Sequence, residues 1–349
     1  MGLASDSLTQ DCYEQGCVMT DRQGQIVFTV IVPCYNEQEV IGQIHDQLVA
    51  TLSTDSLLDY RILYVDDGSS DDTSIILRRL HQANSRVHIV RLSRNFGHQT
   101  AVTAGLEHAE GQVIGIIDAD LQDPPGVLLD LLKEWRAGYD VVYGVRTQRK
   151  EGLFKRTAYV IFYRLLQRLA DIDIPIDSGD FCVMDRRVVD ELNKLPERNR
   201  FVRGLRAWLG FPQKGVPYER LARVAGEPKY TMVKLVRLAL DGIVNFSVKP
   251  LAHIMVLGFL TSVVSLFGFV FHFSLRIFEF EFFGHTASET PGFTTIILAI
   301  FFFSGVQLVS IGIIGEYLGR IYEEIKGRPK YVIRDAFTAT IGMPADKKV

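Results

Sequence analysis

The chain predicts an α/β protein with a membrane appendage: a Rossmann-like, mostly parallel sheet flanked by helices, then an interfacial amphipathic helix and a two-helix transmembrane hairpin. Three observations predict it. Between residues 25 and 228, short apolar runs alternate with amphipathic stretches, the pattern of strands and crossover helices. Polar clusters follow nearly every apolar run, as expected where strands end at a binding edge. Two later runs, Pro250 to Leu275 and Thr290 to Gly315, pass 26 residues each without Asp, Glu, Lys or Arg.

Taken in order, residues 1–24 carry Asp6, Asp11, Glu14 and Asp21 against the single base Arg22, lack a charged-then-apolar leader, and read as a loose extension. Within 25–228 the strand candidates are Ile26–Val32, Arg61–Val65, Val87–Leu92, Val113–Ile117 and Asp140–Tyr143. Residues 229–249 mix Met232, Leu235, Leu238, Ile243 and Phe246 with Lys234, Arg237 and Lys249, a composition suited to lying in the headgroup plane. At about 1.5 Å per residue, each charge-free run spans roughly 39 Å as a helix, more than the roughly 30 Å hydrocarbon layer. Spans are therefore expected at 250–275 and 292–316, joined by a loop at 276–291 and followed by a tail at 317–349.

Basic residues set the orientation. Lys229, Lys234, Arg237 and Lys249 precede the spans, and Arg320, Lys326, Arg328 and Lys330 follow them. The loop has Arg276 alone beside Glu279, Glu281 and Glu289. The positive-inside rule puts the sheet domain and both termini in the cytoplasm and the loop outside the plasma (inner) membrane. Gly315 and Gly319 have a spacing that lets helices approach closely, which leaves a homo-oligomer as an open alternative.

Composition removes several classes. The 349 residues are 47% hydrophobic, and 38 basic against 41 acidic residues give a net charge of −3, so neither disorder nor whole-chain nucleic-acid binding is expected. Cys12, Cys17, Cys34 and Cys182 are too scattered for a zinc knuckle and too few to staple this length.

The chemistry sits after the strands. Pro33-Cys34-Tyr35-Asn36-Glu37 follows the first, Asp66-Asp67-Gly68-Ser69 the second, and Asp118-Ala119-Asp120-Leu121-Gln122-Asp123-Pro124-Pro125 the fourth. Clustered acids at a strand end repel one another unless a cation offsets them. Asp118 and Asp120, two apart, point the same way in an extended stretch and can share a hard ion such as Mg²⁺ or Mn²⁺, which usually bridges phosphates. Asp123 is expected to cap the helix after Pro124. Asp66 and Asp67 suit polar groups of a base or ribose. No P-loop and no Gly-x-Gly-x-x-Gly after a strand is present, which disfavours ATP hydrolysis and dinucleotide redox chemistry.

These motifs in this order, with Gly144-Val145-Arg146 and then two spans, resemble the polyprenyl-phosphate glycosyltransferases of glycosyltransferase family 2, and among them the bactoprenol glucosyltransferase branch. The resemblance runs from about residue 26 to 330. It implies a GT-A fold, an inverting mechanism, a nucleotide-sugar donor and a polyprenyl-phosphate acceptor. Pro33, Tyr35, Glu37, Val65 and Asp67 match the family's nucleotide pocket, with Ile117 and Ala119 beside them. Asp118, Asp120 and Gln122 match its metal and diphosphate site, and Arg146, Arg156, Arg223 and Lys229 its phosphate-binding bases. Where the family usually has Ser before that lysine, this chain has Pro228, which removes a donor. Asp177 and Asp180 lie where the family places a carboxylate near the sugar. Asp177 is assigned an orienting or base-like role there, against helix capping before Phe181.

The residues add their own support, since Arg198, Arg200, Arg203, Arg206, Arg223 and Lys229 cluster ahead of the interfacial helix where a lipid phosphate would emerge. Arg200 and Arg203 are thus acceptor candidates. UDP-glucose is the donor the branch implies, with GDP-mannose and modified UDP-pentoses as alternatives. A processive polysaccharide synthase is disfavoured because Trp208 follows Ala207 rather than an arginine. A non-catalytic lipid-phosphate scaffold or flippase subunit is disfavoured by the intact acids at three strand ends.

Overall fold

A run of β-branched and aromatic residues makes the first strand, Ile26–Cys34 (β1), of which all but Val27 are buried. Both faces are covered, so the run reads apolar throughout, as a central strand between helix layers must. The computed structural model describes residues 22, 24–146, 178–198, 200–220 and 293–337, together with scattered helical positions between 251 and 274.

After β1 come α1 (Ile41–Leu52), β2 (Leu58–Asp66), α2 (Thr73–Ala83), β3 (Val87–Leu92), α3 (His98–His108), β4 (Val113–Ile116), α4 (Val127–Arg136) and β5 (Val141–Arg146). Then follow β6 (Ser178–Asp185), α5 (Arg186–Lys194), α6 (Val202–Trp208) and β7 (Gln213–Tyr218), and finally α7 (Phe293–Ile325) and β8 (Ile333–Phe337). The eight strands form one sheet in the order β7-β5-β6-β4-β1-β2-β3-β8. All are parallel except β6 and β8, which run antiparallel to their neighbours. The α/β, mostly parallel sheet expected from the alternating pattern is therefore present.

Helices cover both faces. One face packs Ile44 and Leu48 of α1, Leu77 of α2 and Trp135 of α4 on Phe28 and Tyr64. On the other lies α3, where Gly105 approaches β1 so closely that an added Cβ would collide with the Ile31 side chain. The hydrophobic gain concentrates here, at about 25 cal/mol for each Å² of apolar surface removed from water.

Three strands escaped the sequence reading. Strand β6 runs through Phe181, where a helix start was the alternative weighed for Asp177, and Asp180 sits inside this extended strand, which pairs with β4 and β5. Strand β7 carries Gly215 and Pro217, which a sheet edge tolerates because no neighbour needs the missing N–H. Strand β8 lies in the segment read as a tail, and it pairs Val90 with Ala336 and Arg91 with Asp335. Tyr331 just before it donates to Glu107 Oε2 of α3 at 2.6 Å.

Arg22, the lone base of the N-terminal extension, is pinned rather than loose. It donates to the Trp135 and Tyr139 carbonyls, pairs with Asp140 at 2.5 Å and Asp185 at 3.0 Å, and lies over the Trp135 ring. Among the described residues one helix stretch, Phe302–Ile325, is long and apolar enough to cross a membrane. It belongs to α7, a separate unit from the sheet, and Phe302, Leu308 and Val309 are all exposed.

Candidate active site

Strands β1 to β5 and β7 deliver their carboxyl ends to one edge of the sheet. The loops there are stitched to one another. After β1, the Asn36 N–H donates to Ser69 Oγ, the Ser70 N–H to Asn36 Oδ1, and the Glu37 N–H to Thr73 Oγ1, tying this loop to the one after β2. Gly68 has φ +71° in that second loop, and an added Cβ would strike the Arg94 backbone, so Asp-Asp-Gly-Ser needs its glycine. Among the described residues, the non-glycine positions with positive φ are Asn36 (53°) and Leu121 (59°), one in each of two strand-end loops. Such strained backbone persists where surrounding structure enforces it, commonly at sites.

The aspartate pair after β2 turns out to hold the protein together. Asp66 is fully buried, accepting the Ser69 N–H on Oδ1 and facing Arg91 Nε from Oδ2 at 3.1 Å. The carboxylate therefore faces inward, with a hydrogen bond on one oxygen and an ionic contact on the other. Asp67 accepts the Phe96 and Gly97 N–H groups at 2.8 and 2.9 Å, which anchors the loop that starts α3, and burial raises its pKa against those two bonds. Pro33 pairs with Val65 across the sheet, both buried, while Tyr35 is exposed beside them.

After β4, Ile117 and Ala119 are buried, which turns Asp118 and Asp120 outward between them. The Gln122 N–H donates to Asp120 Oδ1 at 3.2 Å. Asp123 does not cap α4, whose preceding residue is Gly126 and which has no side-chain cap. Its side chain points inward instead, accepting the Tyr218 hydroxyl at 2.5 Å. Burial raises the Asp118 pKa, His98 opposes it, the charges of Asp123, Asp180 and Asp120 add to the rise, and the carboxyl ends at about 6.

His98 was not singled out from the sequence. It opens α3 with Nε2 3.1 Å from Asp180 and 3.8 Å from Asp118. Burial alone would lower its imidazole, but the bond to Asp180 and the charges of Asp118 and Asp180 push it up to about 9, so it is a cation at neutral pH. Asp180 is desolvated yet held well below the usual carboxylate range by His98, Arg203 at 3.7 Å and Gln99, which donates at 2.7 Å. Gln99 also accepts the Val202 N–H, which fixes the start of α6 against the cluster. The signal was available: Ser93-Arg94-Asn95-Phe96-Gly97-His98 is itself a polar cluster after a strand.

On the far side, Arg146 donates to the Tyr218 hydroxyl at 3.4 Å. Burial works against its charge, and Tyr218, Asp123 and Asp118 restore it, leaving its pKa above the ordinary value. Arg203 thus lies beside Asp180, and Arg146 sits within reach of the charges of Asp118 and Asp123. Arg200 does not join: it is buried, and its guanidinium donates to the Leu192, Leu195 and Glu197 carbonyls, which corrects its assignment to the acceptor. Asp177, Arg156, Arg223 and Lys229 lie outside the described residues, as does the segment 229–249.

The donor set can hold a hard cation. Among the described residues no three His, Cys, Asp or Glu side chains gather into a full cage. Mg²⁺ or Mn²⁺ is commonly held by one or two carboxylates and completes its shell with water and substrate phosphate. Asp118 and Asp120 offer oxygen donors only, and burial first, then the neighbouring carboxylates, raises the Asp118 pKa.

Comparison with known proteins agrees with this geometry. The family described as "Glycosyl transferase family 2" matches residues 29–192, which covers the strand-end loops after β1, β2 and β4. An uncharacterized glycosyltransferase of Bacillus subtilis, YkcC, is 45% identical over 313 residues, 89% of this chain and 94% of the relative. The SfII prophage-derived bactoprenol glucosyl transferase of Shigella flexneri is 38% identical over 308 residues, 88% of this chain and 97% of that one. A solved mannosyltransferase of Pyrobaculum calidifontis, in complex with GDP-Man and Mn²⁺, overlaps 66% of each chain at 20% identity, with a TM-score of 0.44, too slight a likeness to carry an argument.

Proposed function

Because this chain belongs to glycosyltransferase family 2, we propose that it transfers a sugar, with inversion, from a nucleotide-sugar to polyprenyl phosphate at the cytoplasmic face of the plasma membrane. The observation that carries the lipid acceptor is the 38% identity to bactoprenol glucosyl transferase across 88% of this chain, a stretch too long to omit the apolar segments. The same relative favours UDP-glucose as donor and undecaprenyl phosphate as acceptor over GDP-mannose or a UDP-pentose.

A membrane hairpin is supported by parity. Strands β7 and β8 belong to one sheet, so the chain up to residue 220 and the chain from residue 333 lie on one side of any membrane. If α7 crosses, an even number of crossings requires a second span between residues 220 and 293, where the charge-free run at 250–275 stands. Arg320, Lys326, Arg328 and Lys330 after α7 put the sheet domain on the cytoplasmic side. Arg156, Arg223 and Lys229 are proposed to meet acceptor or donor phosphate there.

In the reaction an acceptor phosphate oxygen attacks the anomeric carbon, the bond from that carbon to the diphosphate breaks, and the nucleoside diphosphate leaves. A phosphomonoester with a second pKa of about 6 is already largely dianionic at neutral pH, so no strong general base is needed. When bound by Asp118 and Asp120, with Gln122 nearby, Mg²⁺ or Mn²⁺ would neutralise charge on the departing diphosphate. Tyr35, Glu37 and Asp67 are proposed to bound the nucleotide, with Tyr35 offering an exposed ring to the base. His98, Arg203 and Arg146 supply the positive charge that lets two anions approach. Asp177 keeps a proposed orienting role beside the sugar.

The test is transfer of label. Purified protein given UDP-[¹⁴C]glucose, Mn²⁺ and polyprenyl phosphate in detergent should yield labelled lipid, and a chelator should abolish it. Unlabelled lipid with every nucleotide-sugar tried would support the scaffold reading, and full transfer with chelator would remove the metal.

A further inference from the structure

We infer that Arg220 is a built-in counter-cation of the carboxylate edge, which makes capture of the metal conditional on the nucleoside diphosphate. This rests on the metal reading above and goes beyond it. Arg220 stands two residues past the end of β7, outside any strand. Its Nη2 lies 3.9 Å from Asp120 Oδ2 and its Nε 3.4 Å from Asp123 Oδ1. The guanidinium thus spans one proposed metal ligand and the buried acid behind it. At these separations the attraction is Coulombic more than directional, so the group can leave without breaking well-formed hydrogen bonds.

The two acids differ in what they can do. Asp123 is fixed, with 1% of its side chain exposed and Oδ1 already taken by Tyr218. Asp120 is the outward one, and Arg220 itself is 26% exposed, open enough to turn. Two further cations face the same acids, His98 at Asp118 and Arg146 through Tyr218. Arg220 thus faces Asp120 and Asp123 together, and a dication arriving at Asp120 must displace or sit beside its guanidinium.

A nucleoside diphosphate changes that balance. It brings several negative charges and phosphate oxygens that a guanidinium binds with two parallel N–H bonds, a better match than one loose carboxylate contact. Arg220 can then turn to the diphosphate, and Asp120 is released to the ion. Ion and nucleotide bind cooperatively, and by linkage each strengthens the other to the same degree.

Electron paramagnetic resonance titration of Mn²⁺ into the full chain, with and without UDP, tests this in wild type, Arg220→Gln and Arg220→Lys. Wild type should bind Mn²⁺ weakly alone and more tightly with UDP. Arg220→Gln should bind Mn²⁺ alone about tenfold tighter, the order expected from removing one nearby charge, and should lose most of the UDP enhancement. Arg220→Lys keeps the charge and should stay near wild type without UDP. Thermal unfolding in chelator checks that all three are folded. Arg220→Gln matching wild type in both affinity and enhancement overturns the proposal and leaves the metal reading standing. Wild type that binds no Mn²⁺ with or without UDP overturns the metal reading and this inference together.

Discussion

The two edges of one sheet use the same residue types to opposite ends. At the amino ends of β4 and β5, Arg22, Arg187, Asp140, Asp185 and the Trp135 indole form a closed network with contacts of 2.5–3.0 Å for Arg22 and 2.7 Å from Arg187 to Asp140. At the carboxyl ends, Arg220 stands 3.9 Å from Asp120 and 3.4 Å from Asp123, and His98 stands 3.8 Å from Asp118. Asp180, Asp123 and Asp67 are held more tightly there, by His98 and Gln99, by Tyr218, and by the Phe96 and Gly97 N–H groups. The amino edge is satisfied by the protein itself. The carboxyl edge is charged but loosely paired, with Asp118 shifted up to about 6 and His98 to about 9, the condition of a site whose remaining partners are ligands.

Substitutions should separate the edges cleanly. The largest effect belongs to Asp118→Asn, which should lower lipid-linked sugar formation about 10²–10³-fold. Its thermal midpoint should stay level or rise, since one of several mutually repelling carboxylates is gone. Near-native turnover with metal present would dissolve the distinction between the edges.

Next comes Arg22→Ala at the opposite edge. It should cost about 2–4 kcal/mol in denaturant unfolding, because Asp185 and Asp140 lose a buried partner, while turnover per folded molecule is unchanged. A variant with normal stability would show that Arg187 alone satisfies both acids.

The smallest effect is a pH dependence at the carboxyl edge, read in chelator. His98 titrates at 6.5 as a free side chain and at about 9 in the fold. A raised folded-state pKa adds stability that is fully present below pH 6.5 and disappears as pH climbs through about 9. The advantage of wild type over His98→Gln in unfolding free energy should therefore shrink across that window. A difference that is constant from pH 6 to 9.5 would mean that His98 is uncharged and only packs.

How much was legible follows from how local each signal is. Strand β1 announces itself through nine nearly uninterrupted buried residues, and Gly68 announces a turn that only glycine can make. Asp118 and Asp120 stand out in the sequence because they follow an apolar strand, and in the fold they sit in the turn after β4 beside buried Ile117 and Ala119. Asp66 looked like an equal candidate, and nothing local distinguishes it from Asp67; only the fold buries it fully and sets it 3.1 Å from Arg91 on the neighbouring strand. Arg200 was likewise indistinguishable from Arg203 until the turn after α5 presented three carbonyls to it. Strands β6, β7 and β8 are short or interrupted by Gly and Pro, and they exist because a neighbouring strand offers a ladder, not because of their own composition.

By itself, the order of residues determined the alternation that makes a parallel sheet, the strand-end acids and the charge-free runs, since these depend on periodicity and spacing within a few turns of chain. Tertiary structure alone decided which of the charges are spent on one another. His98 and Asp180 are 82 positions apart, and Arg22 and Asp185 are 163 apart. Coulomb energy depends on distance through space, and that distance is set only when the sheet brings remote ends together.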